Sequence, residues 1–367
     1  MTKKLNTIVI HIGMHKTGSS SIQETLHNHP ANEKYTYLDL GTVNHNRQIF
    51  SQFTEHPEQY YLNLNVTPDH MEEFLKEGRE QIISAISNCN TDNIIVSGED
   101  LIVLTPQALQ KLKTFFSEYF EAFQIVAYVR SPASYMTSLM QQCIKSGIGL
   151  QRFIKENPQS CLFPINTDMF YPRYQACFTK FENIFGRDSL MLRDFNPAKL
   201  HNGDVVQDFF NIFRIPLEPE KICRSNESIS REALAVIYAI RKTSIMSPNA
   251  VPIHQVDRIS QVLSAAGGGK FLLSSTIIDP IVEKYQNDIS WIKARMGDFS
   301  SEGTSNKVGI RTELDLLRIE KAVQDKFEQI SAAPLSHLPA MNPIVEQAFK
   351  RIETIRSIEE ASQNLWA

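Results

Sequence analysis

The sequence predicts an α/β protein with a central parallel sheet flanked by helices, followed by a mainly helical C-terminal part. Over the first 200 residues, short apolar runs alternate with segments that have helical periodicity. The apolar runs are continuous, which is typical of parallel strands that are buried on both faces. Beyond that point the apolar residues follow helical spacing alone.

Each predicted element carries its own signal. Strands are predicted at 6–12, 93–97, 123–129 and 189–193, where the apolar runs lie. Helices are predicted at 18–28, 69–88, from Pro106, from Pro132 to about Lys145, and at 171–185, 229–243, 276–296, 312–331 and 343–361. Ser19, Ser20 and Ser21 are N-cap candidates for the first helix, and proline suits the first turn of the helix that opens at 106.

Two long segments fall outside this alternation. Residues 31–68 are polar and rich in Asn, His and Tyr, and we expect them to form an excursion over the mouth of a site. We expect one α/β domain at 1–298 and a helical C-terminal extension at 299–367 that packs on it. A Ser/Gly/Thr/Asn-rich linker at 299–309 marks the boundary. One apolar stripe in the extension is formed by Val345, Phe349, Ile352, Ile355 and Ile358.

Composition excludes several classes of protein. A net charge of −4 gives no overall attraction for nucleic acid or an anionic membrane. No apolar run approaches the ~20 residues that span a bilayer. The five cysteines are scattered and form no C-x-x-C pair, which favours reduced thiols over a disulfide framework or a zinc site. We therefore expect a cytoplasmic protein with no nucleic-acid partner, no membrane span and no metal site.

The most informative segment runs from Ile8 to Gln23. It reads as a buried strand, a loop rich in Gly, Lys and Ser, and the start of a helix. A loop of this kind binds anions, because its backbone N–H groups and the positive end of the helix dipole face the same point. The segment therefore predicts a site for a phosphate or a sulfate.

This loop differs from the common nucleoside-triphosphate loop G-x-x-x-x-G-K-[ST]. Gly13 and Gly18 have the required spacing, and Ser20 fits the last position. Ser19 occupies the position of the lysine, and the lysine occurs earlier, at Lys16. A kinase needs that lysine on the β- and γ-phosphates. The earlier position of the lysine, at Lys16, favours a leaving group other than that of a kinase reaction.

A second anion site is predicted at a neighbouring strand end. Ligands collect beyond the carboxyl ends of parallel strands, and those ends carry Lys16, Glu99 and Arg130. Ser138 follows Arg130 by eight positions, on the helix that Pro132 opens. A planar guanidinium and a nearby hydroxyl can together bind a second phosphate. The alternative for Arg130 is a structural ion pair with Glu99 or Asp100.

Together these motifs resemble the sulfotransferases that use 3′-phosphoadenosine 5′-phosphosulfate (PAPS), in particular the bacterial branch of that P-loop-like superfamily. The resemblance is detailed over roughly 6–30 and 93–147 and looser to about 300. It departs from the family at His15, where many members have proline, and it lacks a basic, Gly-rich segment near the C-terminus. The donor-binding residues that it implies are Gly13, His15, Lys16, Thr17, Gly18, Ser19, Ser20 and Ser21 in the 5′-phosphosulfate loop, with Arg130 and Ser138 at the 3′-phosphate.

The resemblance also implies a reaction. A hydroxyl group, which we expect to be on a carbohydrate, attacks the sulfur of PAPS, and Lys16 stabilises the charge that builds on the bridging oxygen. The proton of the hydroxyl needs a base, for which Glu99 and His45 are both candidates. Glu99 could instead be a structural partner of Lys16 or Arg130. His45 could instead be an ordinary loop histidine.

Two other functions stay open from the sequence. One is a P-loop kinase, against which the serine at position 19 counts. The other is a non-catalytic nucleotide-binding protein of the same fold. The identity of the acceptor and the oligomeric state have no readable signal; acceptor specificity would lie in 31–68, in 148–170 and in the C-terminal helices.

Overall fold

A five-stranded, all-parallel sheet is the centre of this computed structural model. The structure describes residues 4–29, 32–147, 170–224, 229–245, 268–299 and 309–319, with a few positions between 325 and 357. The strands are β1 (Leu5–His11), β2 (Tyr35–Tyr37), β3 (Asn93–Ser97), β4 (Phe120–Val129) and β5 (Leu190–Asp194). Their order across the sheet is β2-β3-β1-β4-β5. The predicted fold class is therefore confirmed.

The strands agree with the sequence patterns except at two places. β4 begins three residues before the predicted start at 123, because the buried Phe120 pairs with Leu5. β2 was not predicted, and the description of 31–68 as an excursion is wrong for those three residues. β2 is too short to show a period, and it joins the sheet at the edge through β3.

The helices also follow the predicted order. Within the described residues they are α1 (Ser19–Asn28), α2 (Ser51–Phe53), α3 (Pro68–Ser87), α4 (Pro106–Phe116), α5 (Pro132–Ser146), α6 (Tyr174–Phe185), α7 (Val205–Ile212), α8 (Arg231–Ile245), α9 (Ser275–Lys284), α10 (Gln286–Met296) and α11 (Glu313–Leu317). The predicted helix at 276–296 is in fact two helices that meet at Tyr285. α7 had no specific prediction; the Asp204 side chain caps it by accepting from the Val206 and Gln207 N–H groups.

The chain divides into two compact units. The first comprises 1–131, 173–227 and 287–300 and contains all five strands; the second comprises 132–172, 228–286 and 301–367. The boundary predicted after residue 298 stays a prediction, because most of the extension lies outside the described residues. Only parts of the helices predicted at 312–331 and 343–361 are described. Of the apolar stripe, Phe349 and Ile352 are buried, and its other three positions are outside the described residues.

The core of the first unit fixes α1 against the sheet. Side chains from three strands meet side chains from α1 and α7 in one buried cluster, which includes Val9, Ile95, Val126, Tyr128, Ile22, Leu26, Phe209 and Phe210. Burying a side chain of this size stabilises the fold by about 1.5–3 kcal/mol. Because both helices are held at this cluster, the N-terminus of α1 has a fixed position relative to the ends of β1, β3 and β4.

In the second unit, α8 is the buried element. Every residue from Ala233 to Ile240 is at most 3% exposed, so this helix packs on all sides. Arg241, at the end of that stretch, donates from Nε and Nη2 to the carbonyl of Lys145 over 3.1 and 2.7 Å. The guanidinium thereby satisfies a C-terminal carbonyl of α5 that has no partner within its own helix.

A buried carboxylate ties β4, β5 and α7 together in the first unit. Asp208 accepts from the Tyr128 hydroxyl (2.9 Å), from Arg193 Nη2 and Nε (2.6 and 3.1 Å) and from the His201 N–H (3.0 Å). Asp208 is 1% exposed, whereas the Arg193 side chain is 34% exposed. Each carboxylate oxygen accepts two of these hydrogen bonds, which offsets the cost of burying the charge.

We expect Asp208→Ala to lower the free energy of unfolding by about 2–3 kcal/mol, because four donor groups on three residues then lose their acceptor. This loss is smaller than that expected for a fully buried ion pair, because the partly exposed Arg193 side chain can turn toward the solvent. Urea unfolding of the variant beside Asp188→Ala, an exposed aspartate near β5, measures it. A loss no larger than that of the control would show that this network does not hold the elements together.

Candidate functional site

The loop after β1 is built from left-handed backbone. Gly13, Lys16 and Gly18 have φ values of 59°, 68° and 78°. The Thr17 hydroxyl bonds the Met14 carbonyl, and the Met14 N–H donates to the same hydroxyl at 3.3 Å, which closes the loop on itself. A Cβ on Gly13 would lie 2.8 Å from Ser19 Oγ. Gly13 therefore cannot be replaced by a larger residue, because the φ angle disfavours a side chain and Ser19 occupies the space that a side chain would need.

The N-terminus of α1 is open at the end of this loop. Gly18 is the N-cap, no side chain caps the helix, and the first turn has no acidic residue. The prediction of a serine N-cap is wrong, because Gly18 takes that place and the serines lie inside the first turn. Ser19 Oγ is buried, and among the described residues it has no hydrogen-bond partner. A positive helix end without a side-chain cap and an unused hydroxyl are what an anion needs.

Arg130 is brought to the same loop from the end of β4. Its Nη1 donates to the carbonyl of Lys16 over 2.7 Å, and its guanidinium lies 5.3 Å from the centre of the Phe195 ring. The Tyr174 hydroxyl donates to the Arg130 carbonyl at 2.6 Å. Burial lowers the pKa of Arg130 to about 10, so the side chain is still a cation at neutral pH. The structure thus joins two of the predicted anion-binding residues, 114 positions apart, at one edge of the sheet.

Ser138 belongs to the second unit. It lies on α5 and is buried. Its predicted pairing with Arg130 around one phosphate stays a prediction.

Glu99 follows β3, at the start of a short 3₁₀ helix (Glu99–Val103). Its Oε2 accepts from the amide of Gln23 at 3.1 Å and from the amide of Asn44 at 3.3 Å. The side chain is half-buried. Both donors shown are neutral amides, and no ion pair with Lys16 or Arg130 is found for Glu99 among the described residues. The two amides therefore orient the Glu99 carboxylate at the end of β3 without adding a positive charge beside it.

Asp100 has different partners from its neighbour. Its Oδ1 lies 3.0 Å from His15 Nε2, and its Oδ2 accepts from the hydroxyls of Tyr60 (2.6 Å) and Tyr61 (3.0 Å). Burial acts to raise the pKa of Asp100, but the hydrogen bonds from His15, Tyr60 and Tyr61 outweigh it and hold the pKa below its usual value. His15 is therefore held in the loop by Asp100. The two tyrosines, which the sequence did not single out, attach segment 31–68 to the strand end.

His45 is placed against β3 rather than at the open edge. Its backbone N–H donates to the Ser97 carbonyl at 3.0 Å, its Nδ1 accepts from the Ser97 N–H at 3.3 Å, and its ring stacks on Tyr37. The residue is 0% exposed, and burial lowers its pKa to about 3. Since Nδ1 already accepts a hydrogen bond, the neutral ring carries its proton on Nε2 and has no free lone pair. The geometry favours Glu99 over His45 as the base.

Comparisons with known proteins give similarity at the level of solved structures alone. No protein-family model and no curated protein matches the chain. A sulfotransferase from Alicyclobacillus acidocaldarius is similar over 65% of this chain and 93% of its own, with 13% identity and a TM-score of 0.36. The sulfotransferase domain from the curacin biosynthetic pathway is similar over 62% and 80%, with 13% identity and a TM-score of 0.37.

A third similar structure is a retinol dehydratase in complex with androsterone and the inactive cofactor PAP, at 11% identity and a TM-score of 0.21 over 93% of this chain and 82% of that one. In the described part of the chain, no group of side chains is arranged to hold a metal ion, and no helix is long and apolar enough to cross a membrane.

We expect the two buried histidines near β3 to make the fold sensitive to acid. Burial lowers the pKa values of His11 and His45 from 6.5 to about 3. Between those values the unfolded chain binds protons that the folded protein does not, so the free energy of unfolding falls as the pH falls. Each histidine should remove about 2 kcal/mol between pH 7 and pH 5.

His45→Gln checks this, because the amide oxygen can still accept from Ser97 but cannot titrate. Urea unfolding at several pH values between 7 and 5 should show a shallower decline for His45→Gln than for the wild type. His70→Gln, an exposed change on α3, serves as the control. Equal slopes in all three proteins would mean that His45 is not buried as a neutral ring.

Proposed function

We propose that this protein is a sulfotransferase that moves a sulfuryl group from PAPS to an acceptor hydroxyl. The observation that carries the proposal is the hydrogen bond from Arg130 to the Lys16 carbonyl. It places a partly buried guanidinium beside an open helix N-terminus, so that one edge of the sheet offers two positive regions. PAPS carries negative groups at its 5′ and 3′ positions, and a donor of that form suits such a pair.

The residues of the loop would bind the 5′ end of the donor. The N–H groups at the start of α1 and the Ser19 hydroxyl would hold the phosphosulfate, and Arg130, with Ser138, the 3′-phosphate. Lys16 lies within the loop rather than on the helix. Its ammonium group would face the oxygen between phosphorus and sulfur, where charge builds as the bond to sulfur breaks.

Glu99 would act as the base. PAPS supplies an activated sulfuryl group; as the acceptor oxygen bonds to sulfur, its proton passes to Glu99, and the bond from sulfur to the bridging oxygen breaks, leaving adenosine 3′,5′-bisphosphate (PAP). The two amides on Oε2 orient the carboxylate for this transfer. For the acceptor we propose a carbohydrate hydroxyl, and for the location the cytoplasm. Part of the acceptor specificity is predicted to lie in segment 148–170, of which only Phe170 is among the described residues.

Thermal unfolding in the presence of PAP, ADP and ATP tests the proposed donor. PAP at 100 times its dissociation constant should stabilise the fold by about 2.7 kcal/mol. ADP should stabilise it less at the same concentration, because ADP lacks the 3′-phosphate that Arg130 would bind. Equal shifts for PAP and ADP would contradict the proposal, and a larger shift for ATP with Mg²⁺ would favour a kinase instead.

Transfer itself is tested with sulfur-labelled PAPS and a pool of sugar and phenol acceptors. Binding of PAP without transfer to any acceptor in the pool would point to a non-catalytic nucleotide-binding protein.

We expect Lys16→Ala to lower kcat by roughly 10²–10³, as for the loss of one preorganised charge at a transition state. Arg130→Ala should weaken donor binding by about 2–5 kcal/mol, because a partly buried charged contact is lost. Steady-state kinetics with labelled PAPS, together with calorimetric binding of PAP, separates the two effects. Near-normal constants in both variants would show that the site lies elsewhere.

A further inference from the structure

A line of buried hydrogen bonds leads from β1 to the proposed base. His11 Nδ1 lies 2.7 Å from Ser97 Oγ, the Gln23 amide nitrogen lies 3.1 Å from the same Oγ, and that nitrogen is also 3.1 Å from Glu99 Oε2. His11 and Ser97 are 0% exposed and Gln23 is 1% exposed. None of the three has a part in the reaction as proposed above.

The chemistry of Glu99 fixes the direction of the two bonds that Gln23 makes. A carboxylate only accepts, so the Gln23 atom beside Glu99 is the NH₂ group, and it donates to Ser97 as well. The bond between Ser97 Oγ and His11 Nδ1 runs in the direction that the tautomer of the imidazole sets. Burial lowers the pKa of His11 to about 3 and keeps that ring neutral. The Gln23 amide thus has one orientation, because a flip would turn its oxygen toward the Glu99 carboxylate.

The two carboxylate oxygens of Glu99 differ in their hydrogen bonds. Oε2 is occupied by the amides of Gln23 and Asn44. In the part of the chain that the structure describes, no hydrogen bond reaches Oε1. One oxygen is therefore fixed by neutral donors, and the other is left for a proton from outside.

We propose that Gln23 is a positioning residue, which aims Oε1 of Glu99 at the acceptor hydroxyl, and that Ser97 and His11 hold the Gln23 amide in place. This inference rests on the proposed function of Glu99. Gln23 lies on α1, four residues after Ser19. The helix whose N-terminus would bind the donor thus also carries the group that orients the base, so the distance between donor and base is set by one rigid element.

A double-mutant cycle between Gln23 and Glu99 tests the proposal. Gln23→Met keeps the length of the side chain but cannot donate. We expect it to lower kcat about 10–100-fold, as for misplacement of a reacting group, with the KM for PAPS and the affinity for PAP changed less than about twofold. In the Glu99→Gln background the same substitution should have almost no effect, since there is no carboxylate left to aim. Glu24→Gln, the next position on α1, is the control and should match the wild type.

The outcomes separate the two proposals. If Gln23→Met costs the same factor with and without Glu99, or if it weakens PAP binding as much as it lowers kcat, the positioning role is wrong. If the wild type transfers no sulfur from PAPS, the proposed function fails before the cycle begins.

Should Gln23→Met not fold, Ser97→Ala gives the same test, because it keeps the glutamine and removes its second acceptor. It should lower kcat in the wild-type background and leave Glu99→Gln unchanged. A loss of equal size in both backgrounds would overturn the inference.

Discussion

The hydrogen bond between the Arg130 guanidinium and the Lys16 carbonyl is the contact on which the site depends. Lys16 has a left-handed backbone, which costs a residue with a side chain about 1–2 kcal/mol. A charged donor at 2.7 Å offsets that cost. Because the arginine stands at the end of β4 and the lysine in the loop after β1, the bond connects two adjacent strands where they end. The conformation of the loop and the position of the Arg130 guanidinium therefore depend on the same hydrogen bond.

Two neighbouring carboxylates at the end of β3 show how environment divides their tasks. Asp100 is buried among a histidine and two phenols and serves as an acceptor for all three. Glu99 is half-buried and receives amides on one oxygen only. Adjacent residues of the same charge have thus been given a structural and a candidate chemical role by their partners, as happens where carboxylates share a site.

Much of this could be predicted from the sequence, and the misses have identifiable causes. β1 and β3 could be predicted because buried parallel strands are continuously apolar, and the anion loop because Gly13, Gly18 and Ser20 have a known spacing. β2 was missed because three residues show no period. The serines at the start of α1 have the composition of N-caps, but Gly18 is the N-cap. The burial of His45, and the contacts of Gln23 and Tyr60, depend on residues 40 or more positions away.

The bonds from segment 31–68 to the end of β3 limit how this protein could be given a new acceptor. Asn44 supplies a donor to Glu99, and Tyr60 and Tyr61 supply donors to Asp100. A foreign segment grafted in their place would have to bring its own amide and phenol groups to the same points. Without those groups, Glu99 and Asp100 would lose these hydrogen-bond donors, and the end of β3 would lose the geometry on which binding of the new acceptor depends.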